Sequence, residues 1–105
     1  MLNKTYVKSR NIWKVSFKLP KEECPRIKKI KSVKLVGDFN NWDENGITMT
    51  YSKSVFSTTH EFAPGQQLEF RYLINGTIWC NDWHADSYVA NEYGGENCVL
   101  HLPMK

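Results

Sequence analysis

Two tryptophans, an arginine and a tyrosine are the residues of this sequence best suited to holding a ligand without transforming it. Trp42 closes the polar run Gly37-Asp38-Phe39-Asn40-Asn41, and Trp79 follows the Asn75-Gly76 pair. A position at the end of a polar loop, or just after a turn, makes both indoles candidates for exposure near neighbouring strand edges. An exposed indole is a flat apolar plane, and a pyranose ring carries a face of C–H groups that packs on such a plane. The hydroxyl rim of the sugar then needs directional donors and acceptors from Arg, Asn or Asp. Arg71 lies beside Glu69 on the polar face of a strand, a candidate for a sugar hydroxyl and equally for a surface ion pair. Tyr93, just before Gly94-Gly95, is placed to lift a ring from a loop toward a ligand, or to plug one end of the fold. For Trp42 and Trp79 the competing reading is a core or rim site with the N–H bonded to backbone. Trp13 alternates with Val15 and Phe17 and reads as core, whereas Trp83 sits in a loop and stays open.

Other chemistries fit less well. A glycosidase requires two carboxylates held apart across a substrate-sized cleft. Asp38, Asp43 and Glu44 share one loop, and no nucleophile–base pair is legible, so the chain is not expected to be an enzyme. Cys80, Asp82 and His84 lack a second ligand pair at finger-like spacing, and neither a metal nor a cofactor is expected. Cys24, Cys80 and Cys98 are odd in number and have no CxxC spacing, as reduced thiols of a cytoplasmic protein would be. His60 falls on the Phe56/Phe62 face and reads as a core or edge histidine.

Charge is segregated. Residues 1 to 34 carry eleven of the fourteen Lys and Arg with only Glu22 and Glu23, a balance of +9, and the remainder comes to −6. Arg26, Lys28, Lys29, Lys31 and Lys34 raise nucleic-acid binding as a weaker alternative. Lys14, Lys18, Lys31 and Lys34, however, suit the outer faces of strands, and the aromatics do not interleave with the basic stretch as in a single-strand stacking platform.

Positioning these residues is the task of short strands. In 105 residues no repeat or linker divides the chain, no apolar run is long enough for a membrane span, and the N-terminus lacks the apolar stretch of a secretory signal. One domain over residues 1–105, cytoplasmic and free-standing, is expected. Period-2 alternation marks Ile12 to Leu19, Ser32 to Gly37, Ile47 to Ser52, Val55 to Phe62, Leu68 to Ile74, Thr77 to Asn81 and Cys98 to Leu102. Asn75-Gly76 is a strong hairpin signal, since both residues accept the positive φ of a type I′ turn. About seven strands without a helical pattern predict an all-β, immunoglobulin-like β-sandwich, with Asp82 to Asn97 as a polar loop.

Val36-Gly37-Asp38-Phe39-Asn40-Asn41-Trp42, then Pro64-Gly65, Phe70-Arg71-Tyr72-Leu73-Ile74-Asn75-Gly76, Trp79, Asn81-Asp82, Ala85-Asp86, Asn91-Glu92-Tyr93-Gly94 and Asn97 follow one another in a telling order. This order and spacing, over about residues 33–102, resembles the family 48 carbohydrate-binding modules. Their relatives include the glycogen-binding domain of the AMP-activated protein kinase β-subunit and the N-terminal domains of isoamylases and glycogen-branching enzymes. The resemblance implies a sandwich of early Set type and affinity for α-1,4-glucan such as glycogen, starch, maltooligosaccharide or cyclodextrin. It implies two stacking tryptophans at Trp42 and Trp79, a basic contact at Arg71 where lysine is usual, a projecting residue at Tyr93 and a hydrogen-bonding amide at Asn97. Ile78 is an extra residue before the second tryptophan, and Gly95 stands where the kinase-type domain offers a threonine hydroxyl. Asp82 and Asp86 match positions that organise the loop. Many relatives serve chiefly to pack on a catalytic domain, so a protein-interaction module beside an enzyme of glycogen metabolism, a family 13 glycoside hydrolase or branching enzyme, is the alternative.

Overall fold

Alternating burial builds two sheets and one core between them. The computed structural model describes residues 2–23 and 29–104; Cys24, Arg26 and Lys28, singled out above, lie outside the described residues. Among the described residues ten strands run in chain order: β1 (Asn3–Val7), β2 (Ile12–Pro20), β3 (Val33–Gly37), β4 (Ile47–Thr48), β5 (Thr50–Ser52), β6 (Val55–Phe62), β7 (Gln66–Ile74), β8 (Ile78–Cys80), β9 (Ser87–Ala90) and β10 (Glu96–Leu102). One antiparallel sheet has the order β1-β2-β6-β5. The other has the order β4-β3-β7-β10-β9, with β8 also paired to β7. The protein is therefore an all-β sandwich. Among the described residues no helix is long and apolar enough to cross a membrane.

In β2 the buried Trp13, Val15, Phe17 and Leu19 face the second sheet while Lys14 and Lys18 stay exposed. Phe17 lies at the centre, its ring 5.1 Å from Phe70, 6.0 Å from Phe39 and 6.3 Å from Phe62. Trp13 is core, as expected, and its Nε1 donates to the Pro103 carbonyl at 3.0 Å.

Three strand assignments differ from those expected. The run Ile47 to Ser52 is split, because β4 pairs with β3 and β5 pairs with β6. Buried Met49 sits at the crossing, its N–H bonded to the Val33 carbonyl at 3.0 Å. β1 and β9 are additional edge strands, short and polar, whose pattern is too weak to stand out in a sequence. They are tied together by the Lys4–Asp86 ion pair at 2.7 Å, and Asp86 also accepts the His101 N–H at 2.8 Å.

Two tight turns match their expected positions. Asn75 and Gly76 have φ of 53° and 73°, and Lys53 and Ser54 of 50° and 65°, the doubly positive signature of type I′ hairpins.

Candidate functional site

The second sheet carries the site on its outer face. Along β7, Phe70 and Tyr72 point into the core, so Glu69 and Arg71 point outward; Trp79 does the same between Ile78 and Cys80, and Asn97 before Cys98. Cross-strand pairs set Arg71 opposite Val36, Glu69 opposite Val99 and Trp79 opposite Leu73. Val36, Leu73 and Val99 are buried yet stand apart from the inter-sheet core. They form an apolar bed beneath the polar side chains.

The Gly37–Trp42 loop supplies the first indole, and each of its residues has a physical task. Gly37 lets β3 approach β7, because a Cβ there would lie 2.4 Å from the Glu69 carbonyl oxygen. Phe39 turns inward, 5.7 Å from the Phe62 ring. Asn40 ties the turn back to the end of β3, its Oδ1 accepting the Gly37 N–H at 3.0 Å and its Nδ2 donating to the Leu35 carbonyl at 3.1 Å. Asn41 and Trp42 both adopt left-handed backbone, φ 58° and 57°, which is costly for a tryptophan. Asp38 fixes the result: Oδ1 accepts Trp42 Nε1 at 2.8 Å and Oδ2 accepts the Glu69 N–H at 2.7 Å. Trp42 is thus displayed half-buried, its ring centroid 6.5 Å from that of Trp79 with the planes inclined at 56°.

Arg71 lies with Cζ 5.7 Å from the Trp79 ring centroid, a cation–π distance. Its Nε donates to Asn81 Oδ1 at 2.7 Å, and Asn81 Nδ2 donates to the Glu96 carbonyl at 2.8 Å. The surface ion pair with Glu69 is not formed. Glu69 Oε1 accepts instead from Asn97 Nδ2 at 3.0 Å, and Asn97 Oδ1 accepts from Asn91 Nδ2 at 3.1 Å. Asn91 Oδ1 in turn accepts the N–H groups of Tyr93 and Gly95 at 2.9 and 3.0 Å, shaping the loop that presents Tyr93. Tyr93 does not plug the sandwich; it is 88% exposed.

The structure brings Trp42, Arg71, Trp79, Tyr93 and Asn97 to one open groove of about 750 Å³, together with Glu44, Glu69, Ala90, Asn91 and Glu92. Sequence reasoning missed Asn91 and Asn81 as organisers. The signal for Asn91 was present, an Asn two residues before an aromatic and close to Gly94-Gly95, the composition of an Asx turn. Trp83 is 72% exposed, lies outside the groove lining and donates weakly to the Glu23 carbonyl at 3.5 Å.

Under the groove, Asp82 is 2% exposed and accepts the Tyr72 hydroxyl at 2.7 Å and the His84 N–H at 2.7 Å. Burial first, then the Asp82 charge, pushes the Tyr72 phenol well above its usual range. Burial also drives the Cys98 thiol up to about 12. Cys80, whose thiol is raised for the same reason, bonds to the Asn81 carbonyl, and no metal-holding group of His, Cys, Asp or Glu occurs among the described residues. Asp82 holds the loop between β8 and β9 from within through the His84 N–H, and Asp86 ties its end to β1 and β10.

Apart from Arg71, the basic residues that the structure describes lie outside the groove lining. Lys4 and Arg10 pair with Asp86 and Glu61, Lys34 Nζ donates to Thr48 Oγ1 at 2.7 Å, and Lys14 and Lys18 project from the opposite sheet. No curated protein matches the sequence. The family described as the glycogen recognition site of AMP-activated protein kinase matches residues 28–104.

Proposed function

Because this chain belongs to the family of the glycogen recognition site of AMP-activated protein kinase, we propose that it is a non-catalytic module that binds α-1,4-glucan in the groove of its six-stranded sheet. The observation that carries this reading is the convergence of Trp42, Arg71, Trp79, Tyr93 and Asn97, drawn from separate segments, on that groove. Two sugar rings stack on the indoles. Planes inclined at 56° suit a chain that turns between successive rings, as the α-1,4 linkage does, better than a flat ribbon. The Arg71 Nη groups, which meet no protein acceptor among the described residues, donate to hydroxyls. Tyr93 closes on the chain from the far side of the groove.

Calorimetric titration with maltoheptaose or β-cyclodextrin tests this. Heat of binding is expected, together with its loss in the Trp42→Ala/Trp79→Ala double variant. Silence at millimolar ligand refutes the glucan reading, and undiminished affinity in the double variant places the site elsewhere. The second reading, a protein-interaction module of glycogen metabolism without sugar affinity, draws support from Asn97, whose amide is already engaged by Asn91 and Glu69. Silence would favour it.

A further inference from the structure

The groove has a sign. Among the described residues its lining includes the carboxylates of Glu44, Glu69 and Glu92 and one cation, Arg71, a formal balance of −2 on a chain whose net charge is +3. The three acids come from different segments: Glu44 from the turn after Trp42, Glu69 from β7 and Glu92 from the residue before Tyr93. A ligand laid across the two indoles therefore meets negative charge on more than one side. Arg71 is the one cation among the described lining residues, and with Nε held by Asn81 and the guanidinium close to the Trp79 ring, its Nη groups serve a single position along the ligand and leave the excess of negative charge elsewhere in the groove. Of the described basic side chains, Lys14 and Lys18 project from the other sheet, Lys4 is paired with Asp86, and Lys34, on the outer face of the same sheet, lies outside the groove lining with its Nζ bonded to Thr48 Oγ1 at 2.7 Å.

For a neutral polyhydroxylated chain this lining is an advantage, because carboxylates accept hydrogen bonds from hydroxyl groups more strongly than neutral acceptors do. For a chain carrying phosphate monoesters it is a barrier. Each monoester brings roughly −1.5 to −2 charges at neutral pH, and separations within a groove of this size fall inside the screening length of about 10 Å at 0.1 M salt. Desolvating such a group against three carboxylates adds to the repulsion.

We infer that the groove selects neutral α-glucan and rejects α-glucan bearing phosphate monoesters, with Glu44 and Glu92 as the specificity-determining residues. This rests on the glucan-binding reading of the same groove and adds a charge filter to it.

The experiment titrates the intact chain with maltoheptaose and with maltoheptaose carrying a 6-phosphate, in 20 mM and in 1 M sodium chloride. The expected result is binding of the neutral chain, about tenfold weaker binding of the phosphorylated one at low salt, and a gap that shrinks to about twofold at high salt. The Glu44→Gln/Glu92→Gln double variant is expected to narrow the low-salt ratio; both side chains are exposed, so the fold does not depend on them. Equal affinity for both ligands, tighter binding of the phosphorylated one, or a ratio unchanged in the double variant overturns the inference while leaving glucan binding in place. Binding of neither overturns the glucan reading and the filter with it.

Discussion

Removing the Asp38 carboxylate should loosen the protein and blunt its groove in a single step. In Asp38→Ala two bonds to a charged acceptor vanish, one from Trp42 Nε1 at 2.8 Å and one from the Glu69 N–H at 2.7 Å. Bonds to charged groups contribute about 1.5–3 kcal/mol each, and both of these lie toward the solvent edge, so the low end applies. The expected cost is about 3 kcal/mol. The left-handed backbone at Trp42 sharpens the effect, since strain of about 1–3 kcal/mol persists only while its surroundings enforce it. Without the latch the loop relaxes and the indole leaves its place beside Trp79. Asp38→Asn, with one carbonyl oxygen in place of two carboxylate oxygens, should lose about half as much. Urea unfolding followed by near-UV circular dichroism gives the stability, and calorimetry with β-cyclodextrin gives the affinity. If Asp38→Ala changes stability by less than about 0.5 kcal/mol and binds ligand as the parent does, then Asp38 holds neither the loop nor the ring.

Tyr72→Phe strands the buried Asp82 carboxylate without its hydroxyl donor, and should lower stability by about 2 kcal/mol in the same unfolding assay; a loss below about 0.5 kcal/mol would show that the carboxylate finds another partner. Gly95→Thr should be accommodated, since a Cβ there meets nothing nearer than 3.5 Å, and one added hydroxyl bond of about 1 kcal/mol should tighten β-cyclodextrin about fivefold; unchanged affinity would show that no sugar hydroxyl passes that point. Burial holds the His60 imidazole below its ordinary 6.5, so the unfolded chain takes up more protons than the folded one as pH falls through 6.5. The associated stability is complete above 6.5 and declines on acidification until the folded value is passed. Thermal unfolding between pH 7.5 and 5 should therefore fall less steeply for His60→Gln than for the parent, and an identical slope would assign the acid sensitivity to other groups.

The elements that bury one clean face were legible in the sequence. Trp13, Val15, Phe17 and Leu19 announce β2, and Asn75-Gly76 announces the β7–β8 hairpin, because period and turn chemistry are local properties. The change of sheet at Met49 is not local: a strand run and a sheet crossing have the same alternation, and only the partners Val33 and Phe56 on either side decide between them. The edge strands β1 and β9 were hidden for the opposite reason, being polar enough to pass for loop. In the groove, Trp42, Arg71 and Trp79 could be singled out by residue type and place. The network that aims them could not, because Asn81 lies ten residues from Arg71, and Glu69 twenty-eight from Asn97.

The bond from Trp42 Nε1 to Asp38 also determines what kind of information that indole can read. With its one polar group turned to the protein, Trp42 has only its π faces left for a ligand. On the proposed reading such a face accepts a sugar ring that presents C–H groups and rejects one from which an axial hydroxyl projects. Trp42 would thus sort rings by the shape of a whole face, whereas Arg71 and the Asn91–Asn97–Glu69 chain across the groove would read the direction of single hydroxyls, two kinds of discernment in different halves of one small surface.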